Sequence, residues 1–196
     1  MVINQSGGIL ARLSITNILW LALLGASWQQ GWLQYLFEKD ITFISHGIAL
    51  ATFFVVLVSL WKGLKLGRLL SVPESAKNAY ANSVGKAGAE RRADLRDALK
   101  VELVSYIAFI EYFATTALAV GVLGTVIGLI LGFQNVDPMA LSNVENAGAT
   151  VAEVLKGLSV AFHTTLVGGI VNLWLRTNHF MLSQANSRLF TSVMEG

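Results

Sequence analysis

Cysteine is absent from the 196-residue chain, so disulfides, thiolate metal ligands and a cysteine nucleophile are all excluded. Proline occurs only twice, and no Gly/Ser-rich or repetitive tract is present; nothing suggests a flexible linker or an internal repeat. Charge is scarce as well. Asp, Glu, Lys and Arg make up 13% of the residues against 54% hydrophobic, a balance outside the soluble globular range, and the chain reads as an integral membrane protein. No phosphate-cradling glycine loop, histidine–carboxylate metal cluster or nucleophile–base arrangement is found, so the sequence points away from an enzyme and from a bound cofactor or metal. The basic residues are mixed with acidic ones, which gives nucleic-acid binding no support.

What the chain has instead is apolar length. The run from Tyr106 to Phe133 is long enough to cross a bilayer and carries one charged residue, Glu111. Gly121, Gly124, Gly128 and Gly132 recur along it at helical spacing, and Thr115, Thr116 and Thr125 place hydroxyls among the aliphatics. Small residues let another backbone come close, and polar ones need a partner where water is absent. The segment is therefore expected to be part of a bundle wall that lines something wet.

Three further runs complete the membrane reading. Leu13 to Ser27 is taken as the first span behind a short polar lead, although Gly25-Ala26-Ser27 would also suit a cleavable leader. Ile41 to Trp61 is the clearest spanning helix, and Val151 to Leu175 is the fourth. Between the second and third spans, residues 62–102 hold nine of the fourteen Lys and Arg, which by the positive-inside rule puts this loop and both termini in the cytoplasm. Pro73 is expected near the first turn of a helix there. The predicted fold is thus all-α and integral to the membrane, with four transmembrane helices. Residues 1–61 hold the first two spans, 62–102 a cytoplasmic helical loop, 103–176 spans three and four, and 177–196 a cytoplasmic C-terminal helix.

The polar residues of spans three and four are the candidates for chemistry. Thr125 lies fourteen residues beyond Glu111, so on a helix the two project within about 40 degrees of each other, roughly 20 Å apart along the axis. On span four, Gly157, Ala161, Thr164 or Thr165, Gly168 and Asn172 form a second small and polar face. Thr165 falls near mid-membrane, where it would meet Thr125 at similar depth. The alternative is that each hydroxyl bonds the carbonyl one turn back and does nothing more. Glu111 either faces a cavity or sits hydrated near the inner interface, paired with Lys100 or an arginine. His46 and His163 each stand alone in a helix, and His163 is expected to hydrogen-bond between helices. The charge run containing Arg91, Arg92, Arg96 and Asp97 is either a solvated helix face or a docking surface for a cytoplasmic partner.

Two motifs, GVLGTVIGLILG from Gly121 to Gly132 and AFHTTLVGG from Ala161 to Gly169, resemble the MotA/TolQ/ExbB family of bacterial inner-membrane motor channels. The resemblance implies a homopentamer around a dimer of single-span MotB/TolR/ExbD-like partners that carry the ion-binding aspartate. In that arrangement helices three and four line a central pore. It implies that Thr125, as the threonine of the Gly-Thr pair, and Thr165, three before Gly168, line the path of a transported proton or sodium ion; Thr164 and Glu111 are further candidates on the reading of the residues alone. Gly121, Gly124, Gly128, Gly132, Ala161 and Gly168 are then the close-packing positions. The chain departs from the three-span members of that family in its extra span and in having no proline within a membrane segment. A four-span scaffold that uses its small-residue stripes for packing alone is the competing reading.

Overall fold

The structure, a computed structural model, describes residues 3–40, 42–70, 89–134, 136 and 144–194. Among them are five helices and no strand: α1 (Ile3–Gln29), α2 (Trp32–Lys39), α3 (Ile44–Leu70), α4 (Ala89–Gln134) and α5 (Val144–Met194). Both prolines, Pro73 included, fall outside the described residues.

Among the described residues three segments are long and apolar enough to cross a membrane: Ile44–Lys65, Ile107–Gln134 and Gly148–Arg188. The chain is an all-helical membrane protein. Helix α1 has the length, at 27 residues, but Ser14, Thr16, Asn17 and Ser27 dilute it, and it is not one of the three. The polar lead before Leu13 is already helical from Ile3.

Two helices outrun their apolar stretches. Helix α4 runs unbroken through the change from charged to apolar residues near position 102, and α5 runs unbroken past Arg176. Their 46 and 51 residues correspond to about 69 and 77 Å, more than twice a hydrocarbon core of about 30 Å. Each helix must therefore extend well beyond the apolar layer. The sequence permits this because AERRADLRDALK is rich in good helix formers, and main-chain hydrogen bonding continues whether the side chains meet water or lipid.

The chain divides into two compact units. One comprises Met1–Trp20, Val55–Tyr112 and Leu175–Gly196. Leu13, Ile110, Leu175 and Leu182 are buried at its core, and Asn17 on α1 and Asn178 on α5 form a closed amide pair within it. Asn17 Nδ2 donates to Asn178 Oδ1 at 3.0 Å, Asn178 Nδ2 donates back to Asn17 Oδ1 at 3.1 Å, and Asn17 Nδ2 also reaches the Leu13 carbonyl. An amide without such a partner is costly in an apolar setting, so the pair specifies this helix contact.

The second unit comprises Leu21–Phe54 and Phe113–Trp174. Within it the chain after α1 folds into α2, entered through Gly31 in the left-handed region at φ 77°, a conformation glycine adopts without a Cβ penalty. Asp40 then organises the entry to α3. Its carboxylate accepts from the Thr42 amide at 3.0 Å, the Thr42 hydroxyl at 2.6 Å and the Ser45 amide at 2.7 Å, and these bonds flank Phe43, a non-glycine at φ 55°. The buried hydroxyl of Thr52 bonds back to the Ile48 carbonyl at 2.6 Å and is satisfied within its own helix.

Burial alone would raise the Asp40 pKa, but the bonds from Thr42 and Ser45 favour the charged form and hold it below the usual carboxylate value. Stability from such a group is present above its unfolded pKa of about 4 and is lost as pH falls through the lower folded value. Asp40→Ala is accordingly expected to destabilise the protein by about 1–2 kcal/mol at pH 7. Thermal unfolding in detergent should show the gap from wild type narrowing as the pH drops below 4. A gap that stays constant down to pH 2 would refute the capping role.

Candidate functional site: a hydroxyl pair on a glycine-lined seam

In the second unit the small faces of α4 and α5 meet. A Cβ built on Gly121 would lie 2.9 Å from the Thr164 carbonyl oxygen, on Gly124 2.7 Å from Thr164 Cβ, on Gly128 2.7 Å from the Ala161 nitrogen, and on Gly132 3.0 Å from Gly157 Cα. From the other side, a Cβ on Gly168 would lie 2.7 Å from the Ala117 carbonyl oxygen. These spacings leave no room for a side chain. The seam is therefore a close contact, backbone on backbone except at Gly124, which meets the Thr164 side chain, and the glycine stripe is occupied by the antiparallel helix of the same chain. Gly121, Gly124, Gly128, Gly132, Ala161 and Gly168 are all buried in it. Asn172 adds a bond across it, donating from Nδ2 to the Ala114 carbonyl at 2.8 Å.

The close approach brings Thr125 and Thr165 together. Their hydroxyls are in direct hydrogen-bond contact, and both residues are half-buried. Thr165 Oγ1 also donates to the Gly121 carbonyl at 3.1 Å, while Thr125 Oγ1 reaches the Ala161 carbonyl at 3.3 Å and the Gly121 carbonyl at 3.4 Å. Each hydroxyl has one proton and two lone pairs. With Thr165 donating to Gly121, Thr125 can donate to Thr165 or to Ala161, which leaves acceptor capacity on the pair and protons that can be redirected by rotation about one bond. Thr164, one residue away, is different. It is fully buried, and its hydroxyl donates to the Ala161 carbonyl at 3.0 Å.

The other predicted residues lie elsewhere. Glu111 belongs to the first unit, half-exposed, with Oε2 3.6 Å from His179 Nε2. His163 has an aromatic neighbour rather than the expected interhelical hydrogen bond: its ring meets Tyr35 edge-on at 5.4 Å, and its Nδ1 is buried without a hydrogen-bond partner. His46 stands 3.9 Å from the Asp40 carboxylate, between Phe37 and Phe43. Arg91, Arg92 and Arg96 lie on α4, but their side chains are outside the described residues, as is that of Lys100; Asp97 is exposed. Among the described residues no group of three or more His, Cys, Asp or Glu could hold a metal.

Residues 72–195 match the MotA/TolQ/ExbB proton channel family, a stretch that takes in the whole of α4 and α5. The chain belongs to this family. No curated protein and no solved structure matches it. Membership makes it a membrane protein of a channel family rather than of an enzyme family.

Proposed function

We propose that the chain is the channel subunit of a motor driven by a proton or sodium gradient across a bacterial inner membrane. Five copies surround a dimer of single-span partners, each partner bringing an ion-binding aspartate. Helix α1 serves as a fourth span, and the charged segment between α3 and α4, together with both termini, faces the cytoplasm. The observation that carries this reading is the half-buried hydroxyl pair of Thr125 and Thr165. A neutral hydroxyl donates to an ionised carboxylate and accepts from a protonated one, whereas a fixed charge in its place would lock one state. A pair coupled to two main-chain carbonyls can exchange one role for the other at small cost, as a carboxylate that loads and unloads an ion requires.

Purification from native membranes tests the proposal. A fivefold particle is expected, together with a short companion whose single span contains an aspartate, encoded close by. A particle without fivefold arrangement or without such a companion favours the scaffold reading, in which the glycine seam serves packing alone.

A further inference from the structure

In the first unit, Glu111 on α4 and His179 on α5 stand at the wall of a cavity of about 310 Å³, room for several waters. The polar part of its lining is ordered. His179, Ser183, Ser187 and Thr191 follow one another at four-residue intervals down one face of α5, with Asn186 beside them. Four such positions span about 18 Å along a helix. Their spacing places hydroxyls at every turn from the imidazole toward the C-terminal end of α5, and Thr191 Oγ1 bonds back to the Ser187 carbonyl at 3.1 Å. Glu111 and His179 are the only titratable side chains on this wall among the described residues. Arg12 on α1 and Lys62, Lys65 and Arg68 on α3 belong to the same unit but do not line the cavity.

We infer that Glu111 and His179 form a proton-transfer pair, and that the hydroxyl-lined cavity is the route by which protons leave it for the cytoplasm. The inference rests on the channel reading above and adds to it two relay residues and an exit. The separation of 3.6 Å is too long for a hydrogen bond and is closed by a small side-chain rotation. A proton reaching the Glu111 carboxylate makes a carboxylic acid, which passes it to the unprotonated Nε2 of His179. The resulting imidazolium gives up its other proton, from Nδ1, to cavity water. The ring is left neutral in the opposite tautomer and resets by exchange with water, and the carboxylate is restored. An exposed glutamate serving only solubility would need neither the histidine nor the aligned hydroxyls. The side-chain exposures of 54% for Glu111 and 22% for His179 suit a donor fed from outside the cavity and an acceptor facing into it.

The complex purified from native membranes, reconstituted into liposomes loaded with a pH-sensitive dye, tests this. In His179→Ala, proton flux is expected to fall roughly 100-fold, the low end for losing a positioned acid–base group, and added imidazole should restore most of it. Flux at the wild-type rate in both His179→Ala and Glu111→Gln overturns the inference and leaves the channel reading standing. So does a loss that imidazole does not restore in particles of normal composition, because that marks His179 as a packing residue. Should His179→Ala fail to assemble, His179→Gln keeps the volume and the polar contact but cannot carry a proton. Unchanged flux in that variant overturns the inference, and lost flux supports it. A wild-type complex that conducts no protons overturns both this inference and the proton form of the proposed function.

Discussion

Replacing Thr125 and Thr165 together by valine is expected to abolish ion-driven activity while leaving the particle assembled. The reason is an asymmetry in what the hydroxyls contribute. For stability their removal is nearly neutral, because both partners of the central hydrogen bond disappear together and valine matches threonine in shape; the change is expected to be about 1 kcal/mol or less. For transport the loss is large. An ionised carboxylate passing the seam would find no donor, and by analogy with deletion of a positioned donor the rate should fall at least roughly 100-fold. Thr125→Ser and Thr165→Ser retain the hydroxyl and are expected to stay active. Ion uptake into liposomes, read beside particle size, separates the cases. A double valine variant that transports normally removes the pair from the ion path.

The pair itself was legible in the sequence, and its legibility has a simple cause. Antiparallel helices with matched stripes of small residues have little freedom of register: Gly121, Gly124, Gly128 and Gly132 can meet Gly168, Thr164, Ala161 and Gly157 at close range in only one alignment, and that alignment fixes the threonines. Sequence spacing holds a second clue. Fourteen residues separate Glu111 from Thr125, and fourteen separate Thr165 from His179, so helices matched at the threonines set His179 level with Glu111. The histidine was missed because a lone imidazole beyond the expected end of a span drew no notice.

Other features left weaker traces. The reciprocal amides of Asn17 and Asn178 lie 161 residues apart, and nothing local to either residue names its partner. Helix α2 leaves only a short signal, WLQYLFEK between a glycine turn and an aspartate, which alternates faces as a short surface helix does. The change near residue 102 is one of hydropathy, which records the solvent around the side chains and not the continuity of the backbone ladder.

The glycine seam supplies the other large effect, and it comes with an internal control. Gly128→Ala is expected to destabilise the α4–α5 pair, since the new methyl would meet Ala161 N at 2.7 Å and Ala161 Cα at 2.8 Å, main-chain atoms that cannot rotate aside. Overpacking of this kind costs about 1–3 kcal/mol, and here the displaced group is a whole helix. Alanine also gains about 1 kcal/mol over glycine in helix propensity, so the sign of each substitution depends on the space around it. Gly157→Ala should behave like Gly128→Ala, because its Cβ would lie 2.8 Å from the Gly128 carbonyl oxygen. Gly169 stands on the same helix as Gly157 but has nothing within 4 Å of a built Cβ; Gly169→Ala is expected to be neutral or mildly stabilising. Unfolding of the purified protein by denaturing detergent should rank Gly169→Ala at or above wild type and the two seam variants well below it. Because the threonine hydroxyls owe their contact to this spacing, the seam variants should also lose ion transport, and Gly169→Ala should keep it. Equal stability in all three variants would mean that the backbones are not held together along this stripe.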